Sequence, residues 1–275
     1  MATRSARKGS GPKTPRARRQ AEAQLQARSS GKRNPWVWIA LLFLFHSAAL
    51  LFLFDPVSGL LDRRPIIEQD WGLHFHHLKS MEEFWRHDQR LWGYNPLFMA
   101  GYPSNTIQDL SIKLFEILAL LLSALGGMDA IQAFKLTAFL ATAAVPWMIF
   151  FAARNFFDEE TLRPIVPPLA AFLATAYWWN SLPREMFFYG MIGFPLAAYF
   201  SILALSLIYR MVKSERALSS VHWGWIVAAA VILPLHLQAI LILVPPAIAL
   251  CVARRRSFSP TTLIWLGAGG AISLA

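Results

Sequence analysis

The run at 36–54 (WVWIALLFLFHSAALLFLF) holds no formal charge and, at about 20 residues, is long enough to cross the hydrocarbon core of a bilayer as a helix. Further apolar runs follow at 112–125, 130–153, 165–177, 191–209, 223–252 and 262–275. Lipid offers no hydrogen-bond partners, so segments of this kind must close their backbone hydrogen bonds internally, as helices. With 56% hydrophobic and 15% charged residues and a mean hydropathy of +0.41, the composition is not that of a soluble domain. The expected fold class is therefore an all-α polytopic membrane protein.

Charge orients it. The formal net charge of +10 is concentrated before residue 35, where Arg4, Arg7, Lys8, Lys13, Arg16, Arg18, Arg19, Arg28, Lys32 and Arg33 face a single acid, Glu22. A basic tail abutting a span holds the anionic cytoplasmic leaflet and fixes the N-terminus inside, which explains it better than nucleic acid does. Residues 1–34 then form a cytoplasmic tail lacking the apolar content to fold, and 35–275 the membrane domain, an uncleaved anchor leading into an extracytoplasmic loop at 55–109. The segment 110–126 is short and carries Lys113 and Glu116, so it reads as an interfacial or re-entrant helix. That parity keeps Arg154, Arg163, Arg210, Lys213 and Arg216 inside. The run 223–252 is too long for one crossing and should double back at Pro234–Leu235–His236–Leu237–Gln238, keeping Arg254, Arg255 and Arg256 inside as well. Because 262–275 begins a crossing it does not finish, the chain reads as C-terminally truncated. Cys251, the one cysteine, excludes an intrachain disulfide or a Cys-pair redox centre.

Two carboxylates and three imidazoles crowd into the loop at Glu68–Gln69–Asp70–Trp71–Gly72–Leu73–His74–Phe75–His76–His77. A helix starting near Asp70 places Trp71, Phe75, Leu78 and Trp85 on one apolar stripe and Asp70, His74 and His77 on another face. Three chemistries fit that second face. Asp70 could be a general base tuned by His74 or His77. Asp70, His74 and His77, with Glu68 nearby, could hold a divalent ion. Asp70 could simply cap the helix N-terminus.

The following residues, Trp85 to Pro103 (WRHDQRLWGYNPLFMAGYP), combine a tryptophan, an Asn-Pro turn and Gly-Tyr-Pro ahead of an interfacial helix. With Asp70 and the histidines, this pattern resembles bacterial membrane proteins called 6-pyruvoyl-tetrahydropterin synthase-related, is similar to YfhO-like proteins, and is more distantly similar to the GT-C superfamily of membrane glycosyltransferases. The resemblance covers roughly residues 36–255. It implies a GT-C-like helical bundle with a long first extracytoplasmic loop, and transfer of a sugar from a polyprenyl-phosphate carrier with Asp70 as base. The loop reads Glu68–Gln69–Asp70 rather than Asp-x-Asp, a departure from the metal-binding form of that loop.

Other residues fall on the expected outer side. Arg184, between the runs at 165–177 and 191–209, could hold a lipid phosphate or anchor at the interface beside Glu185. His236 and Gln238, at the doubling-back point, could line a cavity or cap helix ends. Arg86 and Arg90 share a helical face that draws anions or is merely solvated. His46, inside the first span, should bond a neighbouring helix, and Tyr177, Trp178 and Trp179 should form an aromatic belt. No phosphate-binding Gly-rich loop, nucleophile elbow or zinc-protease helix occurs. The reading is an inner-membrane, multi-pass glycosyltransferase of the cell envelope, with catalytic Asp70 and His74 and substrate contacts from His77, Glu68, Arg184, His236 and Gln238. Its partners are a lipid-linked sugar donor and anionic lipids. A non-catalytic lipid or glycan translocation or assembly protein, and a metal-dependent hydrolase using the histidines, are the alternatives.

Overall fold

The computed structural model describes residues 34–54, 57–98, 101–105, 112–157, 159–160, 162–213, 219–253 and 260–274. The basic tail, Asp55, Asp109, Arg216 and Arg254 to Arg256 lie outside the described residues. The chain divides into 1–34 and 35–275, and all the helices and strands named below belong to the second unit.

That unit begins with α1 (Pro35–Leu51), extended by a 3-10 turn at Phe52–Phe54, then α2 (Val57–Leu61) and α3 (Asp70–Asp88). A hairpin comes next, β1 (Gly93–Asn95) antiparallel to β2 (Tyr102–Ser104) with Tyr94 opposite Pro103. The remainder is α4 (Lys113–Gly126), α5 (Ala130–Ala143), α6 (Val145–Phe156), α7 (Val166–Trp178), α8 (Ser181–Phe188), α9 (Gly193–Lys213), α10 (Ser219–Leu235), α11 (Ala239–Ala253) and α12 (Pro260–Leu274). The small hairpin is the one departure from an all-α fold among the described residues.

Three stretches are long and apolar enough to cross a membrane: Pro35–Phe54 (20 residues), Ala130–Phe156 (27) and Gly193–Lys213 (21). At 1.5 Å per residue each reaches about 30 Å or more, the thickness of a hydrocarbon core. The second runs through α5 and α6 with only Ala144 between them. As expected from its length, α4 is a short separate helix of 14 residues, and the run after 223 doubles back at His236–Gln238 into α10 and α11.

The two ends of the bundle differ chemically. At the N-terminal end of α1, the Arg154 guanidinium stacks 4.8 Å over Trp36, and Phe156 packs against Tyr209 at 5.3 Å beside Arg210 and Lys213. At its other end, Phe54 meets Phe187 edge-on at 5.6 Å. His46, midway along α1, accepts from Trp179 Nε1 at Nδ1 (3.0 Å), so its Nε2 donates to the Thr142 carbonyl (3.1 Å). The expected bond to a neighbouring helix is present. The belt is not: Trp178 is buried and Trp179 half-buried against His46, and only Tyr177 of the three is exposed. An indole whose N–H finds an acceptor inside the bundle need not seek the interface.

The helix α3 docks through its stripe. Trp71, Phe75 and Leu78 are buried, and Trp71 Nε1 donates to the Phe187 carbonyl (2.9 Å) while its rings face Phe134 and Phe187 at 6.0 and 5.6 Å. Burying each such side chain stabilises the docking by about 1.5–3 kcal/mol. Trp85, expected on this stripe, is instead 45% exposed, because the last turns of α3, with Arg86, His87 and Asp88 also exposed, project beyond the bundle. The segment leading into α3 is held from α5, where the buried Lys135 ammonium donates to the carbonyls of Asp62 (2.8 Å) and Arg64 (3.0 Å) and to Asp62 Oδ1 (2.7 Å). That bond holds the Asp62 carboxyl below its ordinary range.

Candidate functional site

Four segments distant in sequence meet where α3 begins. The Asp70 amide donates to the Tyr189 carbonyl (3.0 Å) in the turn after α8, and the Ile112 amide, just before α4, donates to the Leu235 carbonyl (3.1 Å) at the end of α10. Gln69, Ile112 and Gly190 at this junction have positive φ (48°, 66° and 81°), as does Asn105 (63°) beside Lys113. For a β-branched residue such as Ile112 that conformation is costly and persists only where surrounding contacts impose it.

Gly190 is the tightest of these contacts. A Cβ there would stand 2.4 Å from the Trp71 amide nitrogen and 2.8 Å from the Asp70 carbonyl carbon, and its φ of 81° already disfavours any side chain. Gly190→Ala should therefore push the first turn of α3 away from α8. The expected result is a loss of roughly 2–4 kcal/mol, the sum of αL strain and a backbone clash, seen as a lower thermal midpoint of the detergent-solubilised protein. An unchanged midpoint would contradict this packing.

The junction encloses a cavity of about 430 Å³ lined by Asp70, His74, His236 and Gln238, with Met186, Gly190 and Phe194 among its apolar walls. Asp70 is half-buried, and its side chain makes no hydrogen bond among the described residues. It is not the helix cap: Gln69 occupies that position, with no side-chain cap bond. His236 Nδ1 accepts from the Gln238 amide (3.2 Å), which leaves Nε2 as the protonated nitrogen. Burial, and secondly the neighbouring His74, keep His236 below the ordinary imidazole range.

Behind His74 lies a second cluster. His74 Nδ1 and His77 Nδ1 each lie 3.7 Å from Glu116 Oε1, and all three residues are buried. Lys113 Nζ donates to Glu116 Oε2 (2.5 Å) and to Asn105 Oδ1 (2.9 Å), and Asn105 Nδ2 donates to the His77 carbonyl (3.2 Å). Burial alone would push the Glu116 carboxyl up, but the imidazoles of His74 and His77 and the Lys113 ammonium outweigh it and hold it at about 2. The hairpin roofs this region, with Phe98 stacked 4.3 Å from His76 and 6.3 Å edge-on from His77. His76 itself is pushed below its ordinary range, by burial first and then by His77.

Several sequence expectations change accordingly. The metal set Asp70, His74 and His77 does not assemble; the ligand-type atoms that converge, all within 4.8 Å, belong to His74, His77 and Glu116. Two turns of α3 supply the histidines, whereas Asp70 at the helix start opens onto the cavity. Glu68 is exposed and borders neither the cavity nor the cluster. Arg184 does not line the cavity, and its Nε is buried without a hydrogen-bond partner among the described residues. Met186, two residues on and so about 200° around the helix, takes that place. Arg86 pairs with Glu82 at 2.6 Å, whereas Arg90 lies beyond the end of α3 and over Trp92 at 5.7 Å, so the two are exposed but share no helical face. Sequence reasoning does not single out Glu116, Lys113 and Asn105 as site residues; the legible signal is a pair of charges three residues apart opening an otherwise apolar helix.

Comparison of the chain with protein-family models, with curated proteins and with solved structures finds no match in any of the three.

Proposed function

We propose that this chain is an integral membrane glycosyltransferase of GT-C type, moving a sugar from a polyprenyl-phosphate donor to a cell-envelope acceptor at the extracytoplasmic face of the plasma membrane. One observation carries the reading. The cavity onto which Asp70, His74, His236 and Gln238 open shares Met186 and Phe194 as a common wall with an apolar cleft of about 460 Å³ between α7, α8 and α9. A chamber with four polar side chains in an otherwise apolar lining, beside a cleft that is apolar almost throughout, suits a molecule with a sugar-phosphate head and a hydrocarbon tail.

In this mechanism Asp70 accepts the proton of the acceptor hydroxyl as its oxygen attacks the anomeric carbon. The bond from that carbon to the phosphate oxygen breaks, the polyprenyl phosphate leaves, and the configuration inverts. His236 Nε2–H and the Gln238 amide donate to the oxygens that gain charge. They take the part that sequence alone suggested for Arg184. His74 supports the Asp70 side of the chamber. The N-terminus faces the cytoplasm, where the basic tail holds anionic lipid.

The lipid that co-purifies with the full chain tests this. Native mass spectrometry should find a polyprenyl-phosphate sugar bound to the wild type. Met186→Trp, which fills the shared wall from a half-buried position, should reduce its occupancy about tenfold, the factor that 1.4 kcal/mol carries. Finding only bulk phospholipid, with no transfer from any lipid-linked sugar, would instead favour a translocation or assembly protein.

A further inference from the structure

We infer that His74, His77 and Glu116 form a binding site for one divalent transition-metal ion of the zinc class, entered from the cavity onto which His74 also opens. The inference is independent of sugar transfer. It starts from a gap: both imidazole Nδ1 atoms lie 3.7 Å from the same carboxylate oxygen, Glu116 Oε1. That is too long for a hydrogen bond, but close to the separation of about 3.3 Å between neighbouring ligands of a tetrahedral ion with bonds near 2.0–2.1 Å. Among the described residues His74 Nδ1 and Glu116 Oε1 are buried with no hydrogen-bond partner. Leaving buried polar atoms unsatisfied is costly. In the tautomer that carries its proton on Nε2, which is the one able to bind an ion through Nδ1, both rings present lone pairs to the gap and three acceptors converge there. A water has two hydrogens and cannot serve all three, whereas a dication can.

The surroundings are those of a supported ligand set. His74 and His77 are three residues apart on one face of α3, and Glu116 stands on the first turn of α4, so both sides are carried by helices. Lys113 holds the other carboxylate oxygen and, through Asn105, ties it to the His77 carbonyl, which leaves Oε1 facing the imidazoles. Two imidazoles and a carboxylate leave coordination positions open, as in catalytic rather than structural zinc sites. Lys113 already balances Glu116, so the added charge of the ion calls for an anionic ligand. An anion such as hydroxide or a phosphate oxygen reaches the site through the cavity that His74 shares with Asp70.

The test uses the full chain, purified in detergent with a tag free of histidine, stripped with chelator and titrated with zinc. Wild type should bind about one zinc per chain, with an X-ray absorption edge fitted by two imidazole nitrogens and carboxylate oxygen at about 2.0–2.1 Å. Glu116→Gln keeps an acceptor for Lys113 but should weaken zinc binding at least about 100-fold, the upper end of what outer-shell changes cost. Should that variant not fold, the wild-type stoichiometry and absorption spectrum still decide the matter. No zinc uptake by stripped wild type, a sulfur-containing or all-oxygen shell, or unchanged affinity in folded Glu116→Gln would each overturn the site.

Discussion

Asp70→Asn is expected to lower sugar transfer from a lipid-linked donor by about 10²- to 10⁴-fold, the range a positioned general base supplies. The protein level and thermal midpoint should stay as in wild type. The asparagine keeps the backbone bond to Tyr189, and the Asp70 carboxylate forms no hydrogen bond among the described residues whose loss could unfold α3. What it loses is proton affinity alone. An assay in membranes supplied with polyprenyl-phosphate sugars separates the readings. Retained transfer removes Asp70 as the base, and silence in every envelope assay, for wild type and variant alike, points to a non-catalytic role. Because Asp70 lies outside the His74, His77 and Glu116 cluster, zinc binding should survive the substitution, so failure of the transferase reading and failure of the metal site remain distinguishable.

Lys113→Met is expected to be the most destabilising single change at the site, by about 3–5 kcal/mol near neutral pH, because it leaves a fully buried carboxylate without its cation. Thermal unfolding of the chelated protein measures it, with Lys113→Met/Glu116→Gln as the control that should recover most of the loss. The pH dependence has a definite sign. The wild-type Glu116 carboxyl is lowered from 4.5 to about 2, so its contribution is complete above about 4.5 and is lost as pH falls through about 2. In Lys113→Met burial is less opposed and the carboxyl pKa rises. The variant then takes up a proton on mild acidification and relieves its buried charge. The stability gap between the two proteins should therefore narrow as pH drops toward 4.5, and a gap that widens would refute the buried pair as its cause.

Expectations that held concerned local pattern. The uncharged run ending at Phe54, the brevity of α4, the doubling-back at His236–Gln238 and the burial of Trp71, Phe75 and Leu78 follow from hydrophobic length, Pro234 and helical period. The hydrogen bonding of His46 follows from the rarity of unpaired imidazoles in apolar helices. Trp85 and the Trp178–Trp179 pair go otherwise because periodicity says which residues share a face, not how far the partner surface extends.

By itself the sequence determined that the chain is helical, apolar enough to cross a membrane, and equipped with titratable groups at the start of α3. Tertiary structure decided which of them meet. Asp70 and His77 share a helix but face different places, one the cavity and the other Glu116, some forty residues on by chain order. That partnership exists because Trp71 anchors α3 against Phe134 and Phe187 while the Ile112 amide pins the start of α4 to Leu235. Such contacts depend on where two helices dock, and a docking geometry leaves no periodic trace in either segment.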